Sequence, residues 1–144
     1  GIDRIAEAAG AFGLGEKLGF DLAEEKPGLV PTQAWKQAQF SEAWQPGETV
    51  VNAIGQGYFL TTPLQLATML SRLVNGGFAV KPRVTAHVGG KNAIAQGPWP
   101  KMNVKDAHLQ LVRRGMEKVV NHERGTAYGS RIDDPLYAFG GKTA

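Results

Sequence analysis

The spacing of apolar positions divides the chain before any composition is considered. Ile2, Ile5, Ala8, Ala9 and Phe12 recur at helical intervals, and Gly13-Leu14-Gly15 supplies a stop. This helix begins at Gly1 with no capping residue before it, as expected of a sequence cut from something longer. Residues 18–31 hold two prolines and two glycines and read as an irregular surface loop, with a short extended stretch at Phe20-Asp21-Leu22. Trp35 to Trp44 has helical character and ends at the turn pair Pro46-Gly47. Val50 to Ile54 is a short, apolar, β-branched run stopped by Gly55-Gln56-Gly57.

The clearest element follows. Thr62 precedes Pro63, a residue favoured at the first helical position, and Gln65 stands three after Thr62 as in a capping box. Leu66, Ala67, Leu70, Leu73 and Val74 line one face until Asn75-Gly76-Gly77 ends the helix. Phe78-Ala79-Val80 and Arg83-Val84-Thr85-Ala86 predict short strands around Pro82, and the polar stretch from Gly89 to Pro100 predicts a loop. A second strong helix runs from about Asp106 to Asn121 with Leu109, Val112, Met116, Val119 and Val120 inward. Gly125-Thr126-Ala127 marks a turn, and Leu136 to Thr143 predicts a strand with Tyr137 and Phe139 on one face. The order is α+β with too little sheet to be complete. No repeat, low-complexity tract or linker interrupts it, so residues 1–144 read as one segment of a domain truncated at both ends.

Composition changes this picture little. At 144 residues, 42% hydrophobic and 20% charged, the chain is an ordinary globular sequence long enough for one compact domain. The net charge of +3 comes from scattered basic residues, and the densest pair, Arg113-Arg114, sits in a predicted helix beside Glu117. That is a solvated helix face rather than the clustered stripe of a nucleic-acid binder, so no nucleic-acid partner is expected. The absence of cysteine excludes disulfides, thiolate metal sites and a cysteine nucleophile within the segment. His87, His108 and His122 lack metal-ligand spacing, and neither metal nor cofactor is expected. No apolar run approaches the roughly 20 residues of a membrane span.

Candidate chemistry is sparse. The three serines, Ser41, Ser71 and Ser130, are followed three residues later by Trp44, Val74 and Asp133, so none begins S-x-x-K, and none sits in G-x-S-x-G. Ser71 falls inside the capped helix, where a hydroxyl bonding its own backbone is expected. The adjacent carboxylates Glu24-Glu25 and Asp133-Asp134 read as solvated loop charge. Phe139-Gly140-Gly141-Lys142-Thr143 lacks the first glycine of a phosphate loop, since Leu136 stands there. Lysine followed by threonine instead places an ammonium and a hydroxyl together, a pair able to bind a carboxylate. Gly140 and Gly141 would let a substrate backbone approach closely.

Taken in order, Trp44-Gln45-Pro46-Gly47-Glu48-Thr49, Ile54-Gly55-Gln56-Gly57-Tyr58, Thr62-Pro63-Leu64-Gln65-Leu66-Ala67 and Asn75-Gly76-Gly77 resemble the transpeptidase domain of class B penicillin-binding proteins. Gly1-Ile2-Asp3-Arg4-Ile5, Phe12-Gly13-Leu14-Gly15, and Gly19-Phe20-Asp21-Leu22 with Glu25, Gly28 and Pro31-Thr32 resemble its elongation-type members. Gly125-Thr126-Ala127 and Gly141-Lys142-Thr143 fall in the family's order too. The resemblance implies part of the fold shared with serine β-lactamases, helices with a piece of antiparallel sheet. It further implies a D,D-transpeptidase that cross-links peptidoglycan stem peptides during elongation through an acyl-enzyme on an S-x-x-K serine. The implied partners are the D-Ala-D-Ala stem peptide, β-lactams and a glycosyltransferase of cell elongation; the implied location is the periplasmic face of the inner membrane.

By the same resemblance Lys142 and Thr143 match the first two positions of a lysine-threonine-glycine motif and would hold the terminal carboxylate of substrate or antibiotic. Ala144 departs from its third position. The serine, its lysine and the S-x-N motif are absent from the segment, which is therefore expected to be inert alone. The Ile54-Gly55-Gln56-Gly57 and Thr62-Pro63 motifs are expected to be architectural, a turn feeding a capped helix. Two other readings stay open: a non-catalytic penicillin-binding sensor, and a serine β-lactamase. Against the second stand the long insert before the lysine-threonine pair and the Gly55-Gln56-Gly57 element.

Overall fold

The computed structural model describes residues 1–20, 24–85, 87–92 and 98–143. It contains helices α1 (Ile2–Ala11), α2 (Gln33–Phe40), α3 (Pro46–Ala53), α4 (Pro63–Val74) and α5 (Asp106–Asn121) and strands β1 (His87–Val88) and β2 (Lys91–Asn92). Two compact units are formed, one from Gly1–Arg72 and Phe78–Met102, the other from Leu73–Gly77 and residues from Asn103 onward.

In the first unit α1 packs against α3, and Ile2, Leu14 and Leu18 are buried. α2 is capped by Thr32, whose hydroxyl accepts from the Trp35 N–H at 3.0 Å. It ends at Ser41, held in the left-handed conformation at φ 57°, three residues before the predicted limit at Trp44. Pro46 does not close this helix but opens the next. The Glu48 carboxylate accepts from the Gln45 N–H at 2.7 Å, so most of the short β-branched run Val50–Ile54 winds as α3. Start chemistry outweighs β-branched propensity there because Val50 and Val51 are exposed and gain little from a pleated surface.

Glu48 also joins α2 to the segment after α3. It accepts from Lys36 Nζ at 2.6 Å and from the Tyr58 hydroxyl at 3.2 Å. Lys36 is only 3% exposed and carries a second, longer ion pair to Glu42 at 3.5 Å. The bond from Lys36 holds the Glu48 carboxyl below its ordinary value, and the bond to Glu48 raises the Lys36 ammonium above its own. Tyr58 sits among Trp35, Phe40 and Trp44, with ring centroids 5.1, 5.7 and 6.2 Å away. These residues of the Trp44–Thr49 and Ile54–Tyr58 motifs are therefore structural.

The capping box of α4 forms as predicted. Thr62 Oγ1 accepts from the Gln65 N–H at 3.1 Å, and Gln65 Oε1 accepts from the Thr62 N–H at 3.0 Å. Most of its apolar face stays open, with Leu66, Leu70 and Val74 43, 39 and 55% exposed and Leu73 buried, while Gln65, Thr68 and Arg72 are buried. The reason is the demand of loop backbone. Gln65 Nε2 donates to the carbonyls of Glu16 at 2.9 Å and Pro27 at 2.7 Å, and Arg72 donates to those of Ala11 at 2.9 Å and Val80 at 3.1 Å. The polar side chains at i and i+7, Gln65 and Arg72, thus satisfy carbonyls buried by irregular chain. Gly28, at φ +64°, lies so close that a Cβ would stand 2.3 Å from the Leu60 oxygen, beside the antiparallel Leu29–Leu60 bridge.

Glu25 is not free loop charge either. Its carboxylate accepts the N–H groups of Leu18 at 2.5 Å, Gly19 at 3.1 Å and Phe20 at 3.2 Å. Burial would raise its pKa, but these bonds outweigh that and leave it lowered. Of the extended stretch predicted at Phe20-Asp21-Leu22, Asp21 and Leu22 lie outside the described residues.

The predicted strands around Pro82 reduce to one antiparallel bridge, Phe78 with Lys101. Pro82 has no N–H to donate, and the Val80 carbonyl is taken by Arg72. Residues 83–85 are irregular, and Ala86 is outside the described residues. Within the predicted Gly89–Pro100 loop a hairpin begins instead: β1 and β2 pair antiparallel across Gly89-Gly90, at φ 58° and 79°. Two successive positive φ values are what a two-residue primed turn requires.

In the second unit α5 spans the predicted residues and buries Leu109 and Val120, with Met116 and Val119 half-buried and Val112 exposed. Single-turn 3₁₀ helices follow at Tyr128–Ser130 and Pro135–Tyr137. The strand predicted from Leu136 to Thr143 does not form. Asp134 accepts the Leu136 N–H at 2.9 Å and winds the chain, Tyr137 and Phe139 are exposed, and the tail bonds to α5 rather than to a strand. Among the described residues no helix is long and apolar enough to cross a membrane.

Candidate functional site in the tail beside helix α5

The carboxylate-binding pair read from the sequence lies on the tail that follows the second 3₁₀ turn. The Gly141 N–H donates to the Met116 carbonyl at 3.0 Å, and Asn121 Nδ2 donates to the Phe139 carbonyl at 2.9 Å. A Cβ on Gly140 would stand 3.1 Å from the backbone nitrogen of Glu117. The small side chain at 140 thus serves close approach to α5, where the sequence reading had assigned it to a ligand.

Lys142 is exposed, and its ammonium donates to the Thr143 carbonyl. The Thr143 hydroxyl stands 3.0 Å from that of Thr126. The ammonium and a pair of hydroxyls are therefore neighbours at one end of the unit, with no anionic side chain bonded to Lys142 or Thr143 among the described residues. This is a donor set suited to a carboxylate. Ala144 lies outside the described residues.

Thr126 is read from the sequence only within the Gly125-Thr126-Ala127 turn and motif, with no role at the site. Its position follows from its neighbours: the Ala127 N–H donates to the Val119 carbonyl at 3.0 Å and the Gly125 N–H to that of His122 at 2.7 Å. A Cβ on Gly125 would stand 2.3 Å from the Val119 oxygen, so only glycine permits the turn to fold back this tightly. The glycine itself was the available signal.

The other candidates stay apart from this site. Ser71 donates to the Ala67 carbonyl at 2.9 Å, Ser41 terminates α2, and Ser130 lies in a 3₁₀ turn. Asp133 pairs with Arg131 at 3.0 Å and Asp134 caps the second turn. Arg113 and Arg114 are exposed at the rim of an open recess shared with Gln110, Glu117 and Gly140. Among the described residues no group of three or more His, Cys, Asp or Glu could hold a metal ion.

A family profile described as the penicillin binding protein transpeptidase domain matches residues 1–143. The chain is 39% identical over 137 residues to the peptidoglycan D,D-transpeptidase MrdA of Escherichia coli K12, covering 89% of the chain and 21% of that protein. It is 37% identical over 147 residues to the MrdA of Acinetobacter baumannii, covering 99% and 21%. Among solved structures, Pseudomonas aeruginosa PBP2 in complex with WCK 5153 superposes with a TM-score of 0.80 at 37% identity, covering 90% of this chain and 30% of that one. The complex of PBP2 and MreC from Helicobacter pylori matches with a TM-score of 0.77 at 33% identity, covering 93% and 24%. The chain thus spans about a fifth of the length of the curated relatives it matches.

Proposed function

This chain belongs to the penicillin-binding protein transpeptidase family, and on that premise we propose that it is one segment of a peptidoglycan D,D-transpeptidase of cell elongation. Its likeness to MrdA proteins along nearly all of its own length carries this reading. Lys142 and Thr143 would bind the terminal carboxylate of a D-Ala-D-Ala stem peptide or of a β-lactam. The ammonium supplies charge, and the hydroxyl supplies a directed hydrogen bond. The acylated serine would belong to an S-x-x-K sequence that this chain does not contain, so the segment alone is inactive. The whole protein would act at the periplasmic face of the inner membrane, beside a glycosyltransferase. The H. pylori relative solved with MreC supports membership of a larger elongation assembly.

Incubation with a labelled penicillin followed by intact-mass measurement tests the proposal. The 144-residue chain should carry no adduct, and an adduct on Ser41, Ser71 or Ser130 would overturn the reading. A longer protein that adds an S-x-x-K segment should be labelled once. Failure of that protein to label would favour a non-catalytic penicillin-binding relative.

A further inference from the structure

We propose that Thr126 is a positioning residue for the carboxylate-binding hydroxyl of Thr143, acting through the hydroxyl pair that joins them. This rests on the reading of Thr143 given above. The two Oγ1 atoms are 3.0 Å apart, and either can donate. A hydroxyl has one hydrogen and two lone pairs, whereas a carboxylate only accepts. When Thr143 donates its hydrogen to a ligand carboxylate, its oxygen can only accept from Thr126. A bound carboxylate therefore fixes the polarity of the pair: Thr126 donates to Thr143, and Thr143 donates to the ligand. A donor behind the Thr143 oxygen also polarises its O–H bond and strengthens the outward bond.

The surroundings suit Thr126 to this task. Its turn is anchored on both sides, by Gly125 to the His122 carbonyl and by Ala127 to the Val119 carbonyl. The Thr143 end is anchored two residues earlier, by Gly141 to the Met116 carbonyl. Both hydroxyls thus hang from the C-terminal half of one helix. A valine at 126 would keep the shape of the side chain and remove the hydroxyl, leaving Thr143 free to rotate or to turn its hydrogen away from a ligand.

The test uses the whole transpeptidase and a fluorescent penicillin, separating the binding constant from the acylation rate. Thr126→Val should weaken binding about 3- to 10-fold, the range of one neutral hydrogen bond, with a smaller effect on the acylation rate. Thr126→Ser, which restores the hydroxyl, should recover binding. In a background of Thr143→Val, the Thr126→Val change should have no further effect, an outcome that a purely structural role would not produce. Equal losses in both backgrounds, or no recovery with serine, would overturn the proposal. If Thr143→Val costs binding and Thr126→Val does not, the proposal fails while the role of Thr143 survives. If neither variant costs binding, the reading of the Lys142-Thr143 pair itself fails.

Discussion

Replacing Gln65 with leucine makes the sharpest test of how the loops are held on α4. Hydrophobic patterning predicts that Gln65→Leu is neutral or stabilising, because it adds apolar surface to a helix of an ordinary globular chain. The structure predicts the reverse. Gln65 is 1% exposed and makes three side-chain bonds, donating to the carbonyls of Glu16 and Pro27 and accepting from the Thr62 N–H. At about 0.5–1.5 kcal/mol for each net bond, with the buried partners left unsatisfied, the loss comes to about 2–4 kcal/mol. With a urea slope of about 1–3 kcal/mol per molar, that lowers the unfolding midpoint by about 0.7–4 M. The assay is urea unfolding of the transpeptidase domain that carries this segment, followed by circular dichroism. Thr62→Ala provides scale, since loss of the cap alone costs about 1 kcal/mol. A Gln65→Leu variant within about 0.5 kcal/mol of the parent would refute the claim that loop carbonyls, rather than apolar contact, decide which face of α4 is buried.

Three further outcomes follow from the same contacts. The Glu25 carboxyl is lowered in the folded state, so its contribution to stability is complete above the ordinary carboxylate range and is lost as pH falls through the lowered value. Amide exchange at Leu18, Gly19 and Phe20, corrected for intrinsic rate, should therefore accelerate on acidification, and Glu25→Gln should abolish that dependence. Gly28→Ala should destabilise by more than Gly19→Ala. Both adopt left-handed backbone, worth about 1–2 kcal/mol with a side chain, but an added Cβ meets the Leu60 oxygen at 2.3 Å in the first and nothing within 4 Å in the second. Equal unfolding shifts for the two would show that the close approach is relieved without cost. Lys36→Met removes the largest cause that lowers the Glu48 carboxyl, so an NMR titration should find Glu48 moved upward, and an unmoved Glu48 would show that the Gln45 N–H and Tyr58 hydroxyl suffice.

How much of this was legible depended on whether the deciding interaction was local. The box at Thr62 and Gln65, the span of α5 and the stop after α1 all rest on residues within one helical turn of each other, and each was read correctly. The anchoring of α3 and the buried face of α4 draw on more distant chain. Val50 to Ala53 have a β-branched composition, yet Glu48 caps a helix start there, and its carboxylate is held in turn by Lys36 and Tyr58. Of the carbonyls that Gln65 and Arg72 answer, three lie 38 to 61 residues away, which no periodicity can reveal. The resemblance to penicillin-binding proteins succeeded because it drew on motifs that encode such distant constraints together.

The site shows the same division within a single helix. A helix end leaves backbone carbonyls whose partners must come from elsewhere. In the C-terminal half of α5, Met116 receives the Gly141 N–H, Glu117 receives Asn121 Nδ2, Lys118 receives the His122 N–H and Val119 receives the Ala127 N–H. Two of these donors belong to chain that has turned back, one on the Gly125 turn and one on the tail. These two returning bonds, one to the open Val119 carbonyl and one to Met116 further back, bring Thr126 and Thr143 together, although 17 residues separate them. Lys142 and Thr143 could be named from sequence because they are adjacent. The second hydroxyl could not, because its place is set by which carbonyls α5 leaves open and by the glycine that lets the turn reach them. On this account Gly125→Ala should weaken penicillin binding in the whole protein through displacement of Thr126, and Thr143→Val should erase that effect; an equal loss in both backgrounds would assign Gly125 to folding alone.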